Sequence, residues 1–207
     1  MTVVLHAREV AAQRGTRTLL TGLDLRVHAG EVVWLRGRNG QGKTTLLRLL
    51  AGLAAPAHGQ VQVSAGVLYL GHHNALKEDL SVIESLRFWV ALHGQPTTEE
   101  DLRQALARWG MASRAHSLVR TLSQGQRRRA ALARLALPHA PTLWLLDEPL
   151  DALDDAGVAT VLELLGQHAQ GGGAVVLTSH QALDLQRPAP REVQLDRYAA
   201  DHPVGLA

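Results

Sequence analysis

The chain has 207 residues, enough for one α/β domain with a substantial core, and its 46% hydrophobic and 19% charged residues exclude wholesale disorder. A formal charge of +2 is too small to argue for a nucleic-acid partner, and the absence of cysteine excludes disulfides, thiolate zinc sites and thiol catalysis. The start, MTVVLHAREVAAQRG, lacks the basic-then-apolar order of a secretory signal, and no uncharged apolar run approaches the ~18–20 residues of a membrane helix.

The first 70 residues read as strands: VVLHAREV, the alternating LDLRV, EVVWL, QVQV and GVLYL, each bounded by Gly, Pro or Thr-Gly breaks. One helical stretch interrupts them, KTTLLRLLAGL, and it begins inside a Gly-rich loop. From about residue 78 to 137 the period turns helical. SVIESLRFWVALHG opens with Ser81 and Glu84 at capping-box spacing and closes at Gly94. Its apolar face is Ile83, Leu86 and Val90, with Phe88 and Trp89 flanking it. TTEEDLRQALARWG repeats the device with Thr97, Glu100 and Gly110. A further helix follows LSQGQ and runs through RRRAALARLAL to Pro138. TLWLLDEP and AVVLTSH read as buried strands, DAGVATVLELLGQHA between them as a helix, and REVQL as a last strand before a polar tail over 198–207.

Three stretches carry chemistry. Gly37-Arg-Asn39-Gly40-Gln41-Gly42-Lys43-Thr44-Thr45 fits the phosphate-binding pattern G-x-x-x-x-G-K-[ST], in the strand, turn, helix context that the pattern needs. Its glycines let successive N–H groups face a β-phosphate, and the helix N-terminus adds its dipole. Lys43 is one of two lysines in a chain whose other basic residues are arginines; it would reach the β- and γ-phosphates, while Thr44 would ligate Mg²⁺. In LLDEP, Asp147 ends an apolar strand where it could hold Mg²⁺, and Glu148 could polarise an attacking water. Taken alone, that acidic pair would more simply cap a helix. His180 ends AVVLTSH, and a parallel strand would deliver it to the same sheet edge to sense a γ-phosphate.

The order GRNGQGKTT, LSQGQRRRAALARLAL, LWLLDEPLDALD, TSH resembles the nucleotide-binding subunit of ABC transporters over nearly the whole chain. The resemblance implies a single α/β P-loop NTPase domain over 1–207, with an antiparallel β-subdomain. Residues 1–71 and 138–197 would form the nucleotide-binding core, and about 72–137 the helical signature subdomain. It further implies an ATPase using ATP and Mg²⁺, working as a homodimer. Ser123, Gly125 and Gln126 of LSQGQ would cap the γ-phosphate of ATP on the other copy's P-loop, and Asp154 would be the aspartate that communicates between the two sites.

Three departures from the family pattern stand out. Gln124 replaces a signature glycine, Arg14-Gly15 stands where members carry an adenine-stacking aromatic, and His72 or His73 takes the place of the Q-loop glutamine that contacts Mg²⁺ and water. Within the family, YLGHHNALKEDLSVIESLRFW resembles the ATP-binding subunits of haem exporters of cytochrome c biogenesis. That resemblance implies integral membrane permease subunits of a haem-handling complex as partners, and a peripheral place on the cytoplasmic face of the inner membrane. No direct haem binding and no nucleic acid are expected of this chain. Arg127 to Arg129 read either as a solvated helix face or as a membrane-facing basic patch. The alternatives are the ATPase subunit of another ABC importer or exporter and, from different classes, a small-molecule P-loop kinase, which has no use for LSQGQ, and a soluble ABC ATPase acting on nucleic acid or ribosomes.

Overall fold

The computed structural model describes residues 2–94, 96–138, 140 and 142–200; positions 201–207 of the expected tail lie outside them. Two compact units result. The first comprises Met1–Tyr69, Pro141–Glu148 and Leu165–Ala207, and the second Leu70–Ala140 and Pro149–Leu164.

In the first unit, β1 (Val3–Arg14), β2 (Arg17–His28) and β4 (His58–Val63) form an antiparallel sheet in the order β2-β1-β4. A second sheet has the order β5-β6-β7-β3-β8, built from β3 (Val32–Arg36), β5 (Val67–Leu70), β6 (Leu143–Leu146), β7 (Ala174–Thr178) and β8 (Arg191–Gln194). β7 runs parallel to both β3 and β6, and β8 runs parallel to β3. All residues of β6 and β7 are buried, as expected for strands with both faces covered. Helix α1 (Lys43–Leu50) turns Leu46, Leu47, Leu49 and Leu50 into one apolar cluster with residues of both sheets. This strand order sets the C-terminal ends of β6, β7 and β3 side by side. Ligands bind at such an edge in parallel α/β sheets.

The second unit holds α2 (Val82–Leu92), α3 (Glu99–Arg108), α4 (Gln124–Leu132) and the first part of α5 (Asp155–Gln170). The first three each open on a complete capping box, in which the cap hydroxyl accepts from the third N–H and the third side chain accepts from the cap N–H. Ser81 and Glu84 serve α2 as the spacing predicts. For α3 the box is Thr98 and Asp101, not Thr97 and Glu100. TTEED satisfies the spacing in two registers, and burial of Leu102, Ala105 and Leu106 selects the second.

The α4 helix also departs from its expected length: after Leu132 the chain tightens into a 3₁₀ turn over Ala133–Ala136, and Leu137 is extended. Pro138 explains this, because a residue preceding proline avoids the helical region. The arginine run is neither a solvated face nor a free basic patch. Arg127 donates to the Leu122 and Arg120 carbonyls and pairs with Glu78. Arg128, only 4% exposed, reaches the Gly71 carbonyl and Asn74 Oδ1. Arg129 pairs with Asp154. Arg134 is buried as well and donates to the Ala75 carbonyl; burial pushes its pKa down to about 10. The loop around His72 is therefore held by guanidinium groups from α4 and the turn that follows it.

Candidate active site

Between β3 and α1 the chain makes the Gly-rich turn of the G-x-x-x-x-G-K-[ST] pattern. Gly42, the residue before α1, has φ 99° and ψ 13°, and a Cβ there would stand 3.1 Å from the Leu19 Cβ. Glycine is needed on both counts. No side chain caps α1 and its first turn contains no acidic residue, so its leading N–H groups and dipole are left for an anion. Gln41 Oε1 accepts from the Arg38 N–H at 2.8 Å and braces the loop that exposes Asn39 and Gly40. The Lys43 ammonium folds over the turn to the Gly37 carbonyl, 2.8 Å away. Thr45, in the first turn of α1, is half-buried.

The acidic pair sits at the end of β6. Asp147, 2% exposed, accepts from Thr44 Oγ1 at 2.8 Å and from Thr178 Oγ1 at 2.9 Å. Thr178 in turn accepts from the Glu148 N–H at 2.9 Å, so one hydroxyl at the end of β7 fixes both acids. Glu148 is 8% exposed and adopts φ 48°, a strained conformation for a residue with a Cβ. The His180 N–H donates to Glu148 Oε2 at 3.0 Å, and the ring Nε2 lies 3.4 Å from Oε1. The buried Asp147 charge also leaves a mark on Tyr69: burial first, and Asp147 second, raise its phenol above the ordinary value.

Sequence reasoning missed Thr178 and Trp34. The Trp34 indole donates to the Ser179 carbonyl at 3.2 Å, tying β3 to the segment that carries His180. A threonine within an apolar strand and a tryptophan within EVVWL show no motif; their partners lie far along the chain.

In the second unit, Ser123 caps α4: its hydroxyl accepts from the Gln126 N–H at 3.2 Å, and Gln126 Oε1 accepts from the Ser123 N–H at 3.0 Å. Gln124 is the first residue of the helix and has no positive φ, so its side chain replaces glycine without strain. Gly125 differs, since a Cβ there would meet the Ala152 carbonyl at 3.3 Å. Asp154 takes both oxygens to Arg129 at 2.6 Å and caps α5 through the Gly157 N–H at 3.0 Å. The Gly157 N–H and then Arg129 hold its carboxyl below the usual range. His72 and His73 are exposed, edge to face with ring centroids 5.8 Å apart, on a cleft of about 680 Å³ shared with Gln124 and Arg127.

Magnesium favours oxygen donors and commonly takes one carboxylate and a hydroxyl beside substrate phosphates. Thr44 and Asp147, already joined oxygen to oxygen, fit it; the His72 imidazole is the poorer donor. Among the described residues, no group of three His, Cys, Asp or Glu side chains could hold a metal ion.

Beside the Gly-rich loop lies a cleft of about 450 Å³ lined by Arg17, Asn39, Gly40, Gln41 and Asp196 among others. Arg14 stands across the hairpin from Arg17, as its cross-strand partner.

The sequence profile of the family described as ABC transporter matches residues 20–151. The cytochrome c biogenesis ATP-binding export protein CcmA of Vibrio cholerae is 41% identical over 204 residues, covering 93% of this chain and 98% of that protein. The protein of the same name from Pseudomonas aeruginosa is 44% identical over 195 residues, covering 88% of this chain and 96% of its own. Among solved structures, an ABC transporter ATP-binding protein from Pyrococcus furiosus superposes with a TM-score of 0.80 at 23% identity, over 94% of this chain and 98% of its own. A bacterial ABC transporter cassette solved as a dimer gives a TM-score of 0.78 at 25% identity, over 92% and 94%.

Proposed function

The chain belongs to the ABC transporter family, and from that membership we propose that it is the ATP-hydrolysing motor of a haem-handling complex in cytochrome c biogenesis. The relatives' names support the haem assignment. The hydrolytic assignment rests on one observation above the others, the Asp147, Thr178, Glu148 and His180 cluster at the mouth of the P-loop.

On this reading the N–H groups of residues 39–45 and the Lys43 ammonium bind the ATP phosphates. Thr44 and Asp147 would hold Mg²⁺, which would supply neutralisation of the phosphate charge. A water lies against Glu148, which accepts its proton as the water oxygen attacks the γ-phosphorus and the bond to the β-phosphate oxygen breaks. His180 holds Glu148 and contacts the γ-phosphate. Two copies share the work: Ser123, Gly125 and Gln126 of one copy cap the γ-phosphate on the other, and Asp154 relays between the sites. A cassette of similar fold, solved as a dimer, supports the pairing of two copies.

Among the described residues no helix is long and apolar enough to cross a membrane, so passage would belong to membrane-embedded partner subunits, with this chain docked on their cytoplasmic face.

The test is complementation. A strain lacking this chain should lose covalently haem-stained c-type cytochromes, regain them with the wild-type chain and not with Glu148→Gln. The membrane proteins that copurify with it should belong to the same process. Normal c-type cytochromes in the deletion strain would remove the haem assignment and leave the ATPase standing.

A further inference from the structure

The P-loop residues Asn39, Gly40 and Gln41 form one wall of the 450 Å³ cleft, so a nucleotide whose phosphates lie on the loop directs its sugar and base into it. Asp196, Ala199 and Ala200 line the same cleft. A 3₁₀ turn over Leu195–Tyr198 is anchored by Leu195, which is fully buried. The following residues then pair with β2, through a Leu20–Ala199 bridge and the Ala200 N–H to the Leu19 carbonyl at 3.3 Å. That anchoring sets the Asp196 side chain on the cleft. Asp196 is half-buried, and among the described residues its carboxylate makes no hydrogen bond or ion pair. Arg17 lines the same cleft, directly opposite Arg14 on the β1–β2 hairpin. Residues directly opposite across a strand pair project to one face, and two like charges so placed are unfavourable until something planar or anionic joins them.

We propose that Arg17 and Asp196 form the base-reading end of the nucleotide site, and that Asp196 selects purines carrying an exocyclic amine. A guanidinium plane stacks on any base and gives affinity without choice. A carboxylate only accepts hydrogen bonds, so it rewards a base that offers N–H donors: the 6-amino group of adenine, or the N1–H and 2-amino group of guanine. The inference rests on the reading of this chain as an ATPase and adds to it a specificity residue outside the family's motifs.

The test compares ATP with purine riboside triphosphate, which keeps the ring and lacks the amine. The wild-type chain should favour ATP in kcat/KM on the order of tenfold, the size of one hydrogen bond to a charged acceptor. Asp196→Ala should raise the KM for ATP by that factor, leave the KM for the analogue in place, and so erase the preference; Asp196→Asn, which keeps one acceptor oxygen, should retain part of it. Arg17→Ala should weaken both nucleotides alike. A preference that survives Asp196→Ala, or equal kcat/KM for the two nucleotides in the wild type, overturns the inference alone. A wild-type chain that hydrolyses no nucleoside triphosphate overturns the ATPase reading beneath it.

Discussion

His180 grips Glu148 twice, with its backbone N–H on Oε2 at 3.0 Å and its ring Nε2 at 3.4 Å from Oε1. The backbone contact is available to any residue at 180 except proline, so positioning of the acid and the ring's own role can be separated. Glu148→Gln keeps the size and the accepted N–H bond and removes the proton acceptor. It should lower turnover on the order of 10²-fold or more while ATP affinity stays within a few-fold, and ATP should hold the variant as a dimer in size-exclusion chromatography. His180→Ala should lower turnover too, with Glu148 still held by the backbone. Unchanged hydrolysis per site in Glu148→Gln would remove the assignment.

Lys43 and Ser123 lie in different units of the fold, and the proposed site takes one from each copy. Lys43→Ala should lose nucleotide affinity itself, because a ground-state phosphate contact disappears. Ser123→Arg should bind nucleotide and fail to close on it. Mixing the two variants leaves one intact composite site per heterodimer, so activity should rise above either alone in a titration of one against the other. A mixture no better than its components would contradict sharing of the site between copies.

Glu31 gives a pH prediction. Burial pushes its carboxyl up, but the Arg191 guanidinium and the His28 N–H, 2.9 Å away, outweigh that and hold it below the ordinary glutamate value. A carboxyl depressed in the folded state adds stability that is complete above its unfolded pKa and fades as pH falls through the folded one. Wild type should therefore exceed Glu31→Gln in urea-unfolding stability at neutral pH, and the gap should narrow in acid, below the ordinary glutamate range. A gap that stays constant across that window would show that the pair contributes nothing through its charge.

Phe88 is 42% exposed, with the Lys77 ammonium 4.2 Å above its ring, whereas Trp89 is half-buried and stacked on His93. Phe88→Ala should cost about 1 kcal/mol or less, well short of the ~3–5 kcal/mol of a buried phenylalanine. If the exposed ring is a contact for the membrane subunits, melting and basal ATPase should persist while copurification falls. A variant that is badly destabilised yet still copurifies would place Phe88 in the core instead.

What the sequence made legible follows the range of the interactions concerned. LWLL and AVVLT announced buried strands because they carry no polar residue that could face water until Thr178, and the P-loop announced itself because its chemistry is local. The α3 cap slipped by one residue because TTEED is degenerate, and only packing of Leu102 and Leu106 decides between the registers. The arginines of α4 looked like surface because helical periodicity gives their direction and not their partners: the Gly71 carbonyl, Glu78 and Asp154 are all distant in sequence. Thr178 as the hinge of the acid pair, Trp34 as the tie to Ser179, and Asp196 as a lining residue of the cleft beside the Gly-rich loop were hidden for the same reason.

The capping box at Ser123 has a chemical corollary. Its hydroxyl oxygen accepts from the Gln126 N–H with one lone pair, and the group keeps its own proton as a donor. A residue bound in this way can donate to an incoming phosphoryl oxygen without first breaking anything in its own chain. The proposed contact with a second copy would then draw on a cap that folding makes anyway. Threonine would keep both functions and asparagine would keep the cap while offering a differently placed N–H, whereas alanine forfeits cap and donor together; the three substitutions thus grade how much of the signature's effect is helix start and how much is proton.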